Sequence, residues 1–302
     1  MKDNMNTKTA RQATSKPGRD MESKPNKKEK TGSPMKMGVC IATFPSKSGP
    51  IVFSGDNIRE NLKTIRELGY DGIDLFSHKL ADSEVDVLSD TLKIVDLKVA
   101  IFAPIWLTEN GSFLSERDKD LRGSAIARYK TQIDVASKLG ANMPLGYSRG
   151  NRHEDETGAM YQERLADSLK EVTEYADGKG VKLFLEPINR YEMNTFNRVE
   201  QAMEFITKYK FSSMQLLLDM FHMNIEEKSI EQAIKLAGPI AGHIHIPDSN
   251  RLAPGEGHLD YKSIFNALSE INYNGFLIIE AFPVPSAYEC AKNGIQFLKK
   301  FL

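Results

Sequence analysis

The sequence predicts a (β/α)8 barrel over residues 37–302, preceded by a polar tail over residues 1–36. Three observations predict it. Short apolar segments of strand length alternate eight times with segments that carry apolar stripes of helix period. The phrase "helix, glycine, one to three residues, strand" recurs along the chain. Four successive strands in the second half end on side chains that bind divalent metals, as expected where barrel strands open on one mouth.

In order, the expected strands are Gly38–Thr43, Gly72–Phe76, Lys98–Phe102, Ala141–Gly146, Val181–Glu186, Gln215–Asp219, Gly242–Ile246 and Phe276–Glu280. They are apolar without strict alternation, as strands covered on both faces should be. Between them, Ile58, Leu62, Ile65 and Leu68 form one helical stripe, and Val85, Leu88, Leu92 and Val95 a second. Leu121, Ala125, Tyr129, Ile133 and Ala136 form a third; Tyr161, Leu165, Leu169, Val172 and Ala176 form a fourth. Steps of three and four residues put each set on one helix face. Asn197-Arg-Val-Glu200 and Ser286-Ala-Tyr-Glu289 read as capping boxes at helix starts. Gly69, Gly140, Gly180 and, more loosely, Gly275 read as helix stops. A doubly wound open sheet is the competing architecture. It usually carries a glycine-rich phosphate loop after its first strand, and Thr43-Phe-Pro-Ser-Lys-Ser-Gly49 is not one.

Composition narrows the function classes. The 302 residues carry 40 basic and 41 acidic side chains, so no net field recruits nucleic acid or an anionic membrane. No apolar run is long enough to span a bilayer. The tail holds ten Lys/Arg against four Asp/Glu and no aromatic residue, and reads as a disordered leader. The two cysteines, Cys40 and Cys290, belong to no Cys-x-x-Cys pair, which excludes a sulfur-bound zinc or redox centre. They read as buried thiols of a reducing compartment, so the cytoplasm is the expected location.

The chemistry concentrates at the strand ends Glu186, Asp219, His245 and Glu280. A charge closing an apolar strand is costly unless paired or bound. Three carboxylates and one imidazole suit a hard divalent ion, manganese first, then magnesium, cobalt or zinc. One such carboxylate could simply cap the next helix; four in succession argue for one site. Three loop residues keep fixed distances from these ligands: Glu192 in Glu186-Pro-Ile-Asn-Arg-Tyr-Glu192, His222 in Asp219-Met-Phe-His222, and Arg251 in His245-Ile-Pro-Asp-Ser-Asn-Arg251. They stand where they would reach a molecule bound over the metal. His243 shares a strand face with His245 and reads as a deeper interior residue.

These stretches, with the Pro254-Gly-Glu-Gly257 run, resemble the xylose-isomerase-like barrel superfamily and, within it, the ketose 3-epimerases. The likeness is dense over residues 183–282 and thin elsewhere. It implies that Glu186, Asp219, His245 and Glu280 hold the metal and that Glu192, His222 and Arg251 contact a sugar. It also implies that Glu186 and Glu280 are the acid/base pair. The implied reaction inverts the carbon next to the ketone of a ketose or keto-acid sugar, through a metal-stabilised enediolate. Met220 stands where many relatives have threonine. The amino-terminal half gives little to match, which leaves the sugar open. Relatives are often dimers or tetramers.

Two more residues are candidates for substrate contact. Trp106, the only tryptophan, follows the third strand and could stack on a sugar face. Arg149, in Arg149-Gly-Asn-Arg152-His153 after the fourth strand, could bind a carboxylate or phosphate. Their plain alternatives are a core aromatic and a solvated basic loop. The same ligands would also serve an aldose–ketose isomerase or a keto-polyol dehydratase. An abasic-site endonuclease shares the barrel but needs a multi-zinc cluster and a basic groove, which six histidines and an acidic body do not favour. A non-catalytic sugar-binding protein would bind metal without turnover.

Overall fold

The computed structural model describes residues 35–46, 49–55 and 57–302, so nearly all of the expected tail lies outside the described residues. The strands are β1 Lys36–Ala42, β2 Gly72–Ser77, β3 Lys98–Pro104, β4 Met143–Leu145, β5 Leu183–Leu185, β6 Gln215–Asp219, β7 Ala241–His245 and β8 Phe276–Ile279. All pair in parallel, in the order β3-β2-β1-β8-β7-β6-β5-β4. One bridge closes the ring between β3 and β4: Asn142 donates to the Ala100 carbonyl at 3.1 Å and accepts from Phe102 at 2.8 Å. The eight expected strands are all present. The first begins at Lys36, two residues ahead of the expected Gly38, because Lys36 and Met37 pair with Phe276 and Leu277.

The helices are α1 Ile58–Glu67, α2 Asp82–Val95, α3 Lys119–Leu139, α4 Gly158–Gly178, α5 Val199–Tyr209, α6 Met220–Glu226, α7 Ile230–Ala237, α8 Tyr261–Glu270 and α9 Ala287–Leu298. The four apolar stripes fall on α1 to α4, and their central residues are buried. Leu121 is the exception: it sits in the first turn of α3, at the edge of the stripe, and is exposed. Gly69, Gly140 and Gly180 follow their helices at φ 88°, 65° and 69°, the left-handed region glycine adopts without strain. The stop expected near Gly275 comes earlier, at Asn272 with φ 54°. Ser286 caps α9, its hydroxyl accepting from Glu289 N–H at 3.2 Å. Asn197 does not cap α5; Arg198 occupies that position, and the Asn197 amide instead donates to the Ile188 and Met193 carbonyls.

Side-chain parity along the strands explains where the site lies. Val39 and Ile41, Ile73 and Leu75, Leu216 and Leu218, and Ile244 belong to the layer packed beneath the helices. The alternate residues face into the barrel: Cys40, Ala42 and Ile278 form one small cluster there, and Phe184 and Leu217 part of another. Asp74, Asp219, His243, His245 and Glu280 share that inward parity, because successive strand side chains point to opposite faces. The interior is therefore apolar in its lower layers and charged toward the carboxyl ends.

Candidate active site and metal centre

The carboxyl ends of the strands and the loops beyond them enclose a cavity of about 280 Å³, lined by Asp74, Glu186, His222, His245, Arg251 and Glu280 among others. A larger depression of about 670 Å³ opens at the opposite end of the barrel, near the starts of β3 and β7, and reaches His243. The chemistry-bearing groups converge on the smaller cavity, at the face where barrel enzymes build their sites.

Asp219, the last residue of β6, does two jobs. Its Oδ1 accepts from Phe221 N–H at 2.7 Å and caps α6. Its Oδ2 meets Arg251 Nη2 at 3.3 Å and His245 Nδ1 at 3.6 Å. Burial opposes its ionisation, but Arg251, His222 and His245 together hold its pKa well below the usual carboxylate range. Glu186 lies one residue past β5 because that strand stops at Leu185. Gly146, just past β4, makes room for it: a Cβ there would lie 2.7 Å from Glu186 Oε2. Burial, with the charges of Glu280 and Asp219, pushes the Glu186 carboxyl up to about 8, against the opposing pull of His245 and Arg251. Glu280, one residue past β8, accepts from Arg251 Nη2 and has Oε2 3.3 Å from His245 Nδ1.

His245 is held from behind. Its Nε2 lies 3.0 Å from Asp74 Oδ2, and His243 Nε2 lies 2.8 Å from the same oxygen. Its Nδ1 is buried, has no hydrogen-bond partner, and faces Asp219 and Glu280. Burial works against a charged imidazole, but Glu280, Asp219 and Asp74 outweigh it and raise the pKa, so the surroundings favour positive charge at this point. Glu186, Asp219 and His245 offer ligand atoms within 4.8 Å of one another, all buried. That is the order of spacing that groups about 2.0–2.4 Å from one shared ion require. An unpartnered imidazole nitrogen among converging carboxylates fits a divalent cation.

Of the three loop residues, His222 and Arg251 line the cavity; Glu192 does not, and stands 4.0 Å from His222 Nδ1 through its Oε1. His222, in α6, has Nε2 3.8 Å from Glu186 Oε1 and 3.4 Å from Arg251 Nη1. Glu192 accepts from Tyr147 Oη and, at 2.7 Å, from Asn189 Nδ2. Arg251 has φ 60° and is aimed inward by Asp248, which accepts from the backbone of Ser249, Gly255 and Leu259 at 2.7, 2.9 and 3.1 Å. Sequence reasoning missed Asp74, Asn189 and Tyr147. Asp74 left one trace, a charge in the middle of the apolar run Gly72-Ile-Asp-Leu-Phe76.

Two expected substrate contacts are corrected. Trp106 does not line the cavity; Ile105, Leu107 and Thr108 do. Its indole is buried, with Lys79 Nζ and Arg128 Cζ 5.6 and 5.7 Å from its ring centroid. Arg149 is fully buried and spends its guanidinium on the carbonyls of Leu145, Gly146 and Thr195 at 3.2, 2.9 and 3.0 Å. It stitches the end of β4 to the loop after β5, and both of its terminal nitrogens are taken by carbonyls.

Fold and geometry together define a (β/α)8 barrel whose mouth gathers possible metal ligands, Glu186, Asp219 and His245, in one buried group. The family model described as "Xylose isomerase-like TIM barrel" matches residues 62–301, and the chain belongs to that family. It is 33% identical over 227 residues to an L-ribulose 3-epimerase of Mesorhizobium japonicum, covering 74% of this chain and 75% of the relative. It is 34% identical over 178 residues to a D-psicose 3-epimerase of Ruminiclostridium cellulolyticum, covering 56% of this chain and 59% of that relative. The crystal structure of an L-ribulose 3-epimerase superimposes with a TM-score of 0.75 at 26% identity, over 89% of this chain and 94% of the other. These relatives place the chain in the isomerase class, among the epimerases. Among the described residues, no helix is long and apolar enough to cross a membrane.

Proposed function

We propose that this enzyme inverts the carbon beside the ketone of a ketose or keto-acid sugar, with one divalent ion held by Glu186, Asp219, His245 and Glu280. The observation that carries the reading is the buried, unpartnered Nδ1 of His245 facing the Asp219 and Glu280 carboxylates. The donor set, three carboxylates and one imidazole, favours manganese and leaves magnesium, cobalt and zinc as alternatives.

A bound ion would act as a Lewis acid on the ketone oxygen and lower the cost of the charge that develops there. The chain's own residues do the rest. Glu186 and Glu280 rise from β5 and β8, which β6 and β7 separate in the sheet, so they approach a sugar from different sides. One takes the proton from the carbon next to the ketone; the other returns one from the opposite face. Arg251 and His222 stand beside the reacting oxygens as positive and neutral donors. Glu192, held by Asn189 and Tyr147, orients a hydroxyl farther along the sugar. The apolar wall of Ile105, Leu107 and Leu217 keeps bulk water from the exchanging proton.

The test is turnover of a ketose panel by the manganese-loaded protein in deuterated water. Epimerisation predicts deuterium at the inverted carbon and a ketose product. Aldose formation would assign an isomerase, loss of water a dehydratase, and binding without exchange a sugar-binding protein; each would replace the reading.

A further inference from the structure

Asp74 lies at the middle of β2, 1% exposed, with every carboxylate contact accounted for. Oδ1 accepts from Ile101 N–H at 3.1 Å, across the register shift where Asp74 pairs with Ile101 and Ala100 is skipped. Oδ2 receives two imidazoles, His243 Nε2 at 2.8 Å and His245 Nε2 at 3.0 Å. The two histidine rings stand nearly perpendicular, 79° apart with centroids at 5.2 Å, so both nitrogens can point to one oxygen. His243 is itself fixed by stacking on Phe184 at 5.8 Å and 21°. A carboxylate has no proton to give, so each imidazole nitrogen facing it must be the N–H donor. When a cation displaces the second proton of the ring, the proton that stays is the one held on Nε2, and the lone pair is on Nδ1, the atom that faces Asp219 and Glu280.

We propose that Asp74 is the positioning residue of the metal centre: it fixes the tautomer and ring angle of His245 so that Nδ1 is presented as the ligand, and His243 holds Asp74 in place. The proposal rests on the cation reading given above. Carboxylates behind a metal-binding imidazole orient the ring and raise its basicity, and losing one typically weakens metal binding roughly 10- to 100-fold. Asp74, His243 and His245 also lie close enough together to suggest a second ion among them. Their contacts of 2.8 and 3.0 Å are direct hydrogen bonds, and both imidazoles converge on one oxygen, which leaves no gap for an ion. The trio is a hydrogen-bonded support.

Equilibrium dialysis with Mn²⁺ alone, at fixed pH, reads the proposal directly. The wild-type chain is expected to take up one equivalent, and Asp74→Asn to bind it roughly 10- to 100-fold more weakly while its circular dichroism is unchanged. Equal affinity in the variant overturns the proposal, as does uptake of two equivalents with one lost in Asp74→Asn, which would make Asp74 a ligand. Histidine ¹⁵N spectra of the wild type loaded with diamagnetic Zn²⁺ decide the matter even if Asp74→Asn does not fold: a proton on Nε2 of His245 is expected, and a proton on Nδ1 overturns the role. A wild-type protein that binds no divalent ion removes the cation reading itself.

Discussion

The side-chain amide of Asn189 lies 2.8 Å from Nδ1 of His222, and the same Nδ2 donates to Glu192 Oε1 at 2.7 Å. Asn189 is 1% exposed, and its Oδ1 is occupied by Tyr191 N–H at 3.0 Å, which fixes which end of the amide is the donor. His222 must therefore accept at Nδ1, so its proton stands on Nε2, toward Glu186 and the cavity. One short side chain thus sets the orientation of two groups proposed to contact the sugar. Asn189→Leu keeps the size and removes both donors. Hydrogen bonds of this kind contribute about 1–2 kcal/mol, and 1.4 kcal/mol is tenfold. The expected outcome is a kcat/KM at least tenfold lower, mostly through KM, with metal affinity unchanged. Steady-state kinetics beside a metal titration checks it, and wild-type kinetics would show that His222 and Glu192 need no such support.

Glu280→Gln and Glu186→Gln test the acid/base pair. Each replacement keeps the shape of the side chain and removes its proton-transfer capacity. A positioned general acid or base contributes about 10²–10⁴-fold, so turnover should fall by at least that much in either variant. The two should differ in exchange: a variant that lacks only the base for one substrate epimer still washes deuterium into the other. Near-normal epimerisation by folded Glu280→Gln would remove the mechanism.

Much of this candidate site is legible in the sequence, for a physical reason. Asp219 and His245 close apolar strands, and Glu186 and Glu280 follow directly, so their cost in a buried interior announces a partner. Glu192, His222 and Arg251 are readable as candidates because they lie a few residues beyond those ends. Asp74 is not, because its two partners lie 169 and 171 residues away and only barrel closure brings them together. The surroundings of Trp106 and Arg149 are not legible in the sequence for a related reason. Their positions after β3 and β4 are readable, but the direction of a side chain leaving a turn is set by tertiary contacts. For Arg149 these are three carbonyl acceptors, one of them contributed by Thr195 from the next loop.

Gly146 is a position where the backbone itself shapes the site. A methyl group there would stand 2.7 Å from Glu186 Oε2 and 3.4 Å from Ile188 Cδ1. The first contact is closer than van der Waals separation allows, so Glu186 or β4 must move. The carboxylate tip is the softer partner, and a shift of even a few tenths of an ångström misplaces a ligand. Gly146→Ala should therefore weaken Mn²⁺ binding and lower kcat by tenfold or more, with a thermal midpoint close to wild type. A strongly lowered midpoint would mean that β4 yields instead, and wild-type metal affinity would show that the close approach is immaterial.

Asp248 ties the loop that carries Arg251, and its titration gives that loop a pH dependence. Burial raises its pKa, but hydrogen bonds from the backbone of Ser249, Leu259, Gly255 and Gly257 outweigh this, and the net shift is downward from 3.8. A carboxylate whose pKa is lower in the folded state contributes stability that is fully present above its unfolded value and lost as pH falls through the folded one. The loop should thus be indifferent to pH from neutrality down to about 5, and loosen progressively below about 4. Asp248→Asn replaces a charged acceptor with a neutral one and should cost about 1–2 kcal/mol at pH 7. The cost should be concentrated in residues 247–259 and appear as faster amide exchange there. Arg251 would then lose its fixed approach to Asp219 and Glu280, so kcat/KM should fall as well. Hydrogen exchange at pH 7 and at a pH of about 2.5, below the folded-state pKa, on both proteins separates the effects: the wild type should approach the variant only at the lower pH, and equal protection at pH 7 would show that Asp248 does not hold the loop.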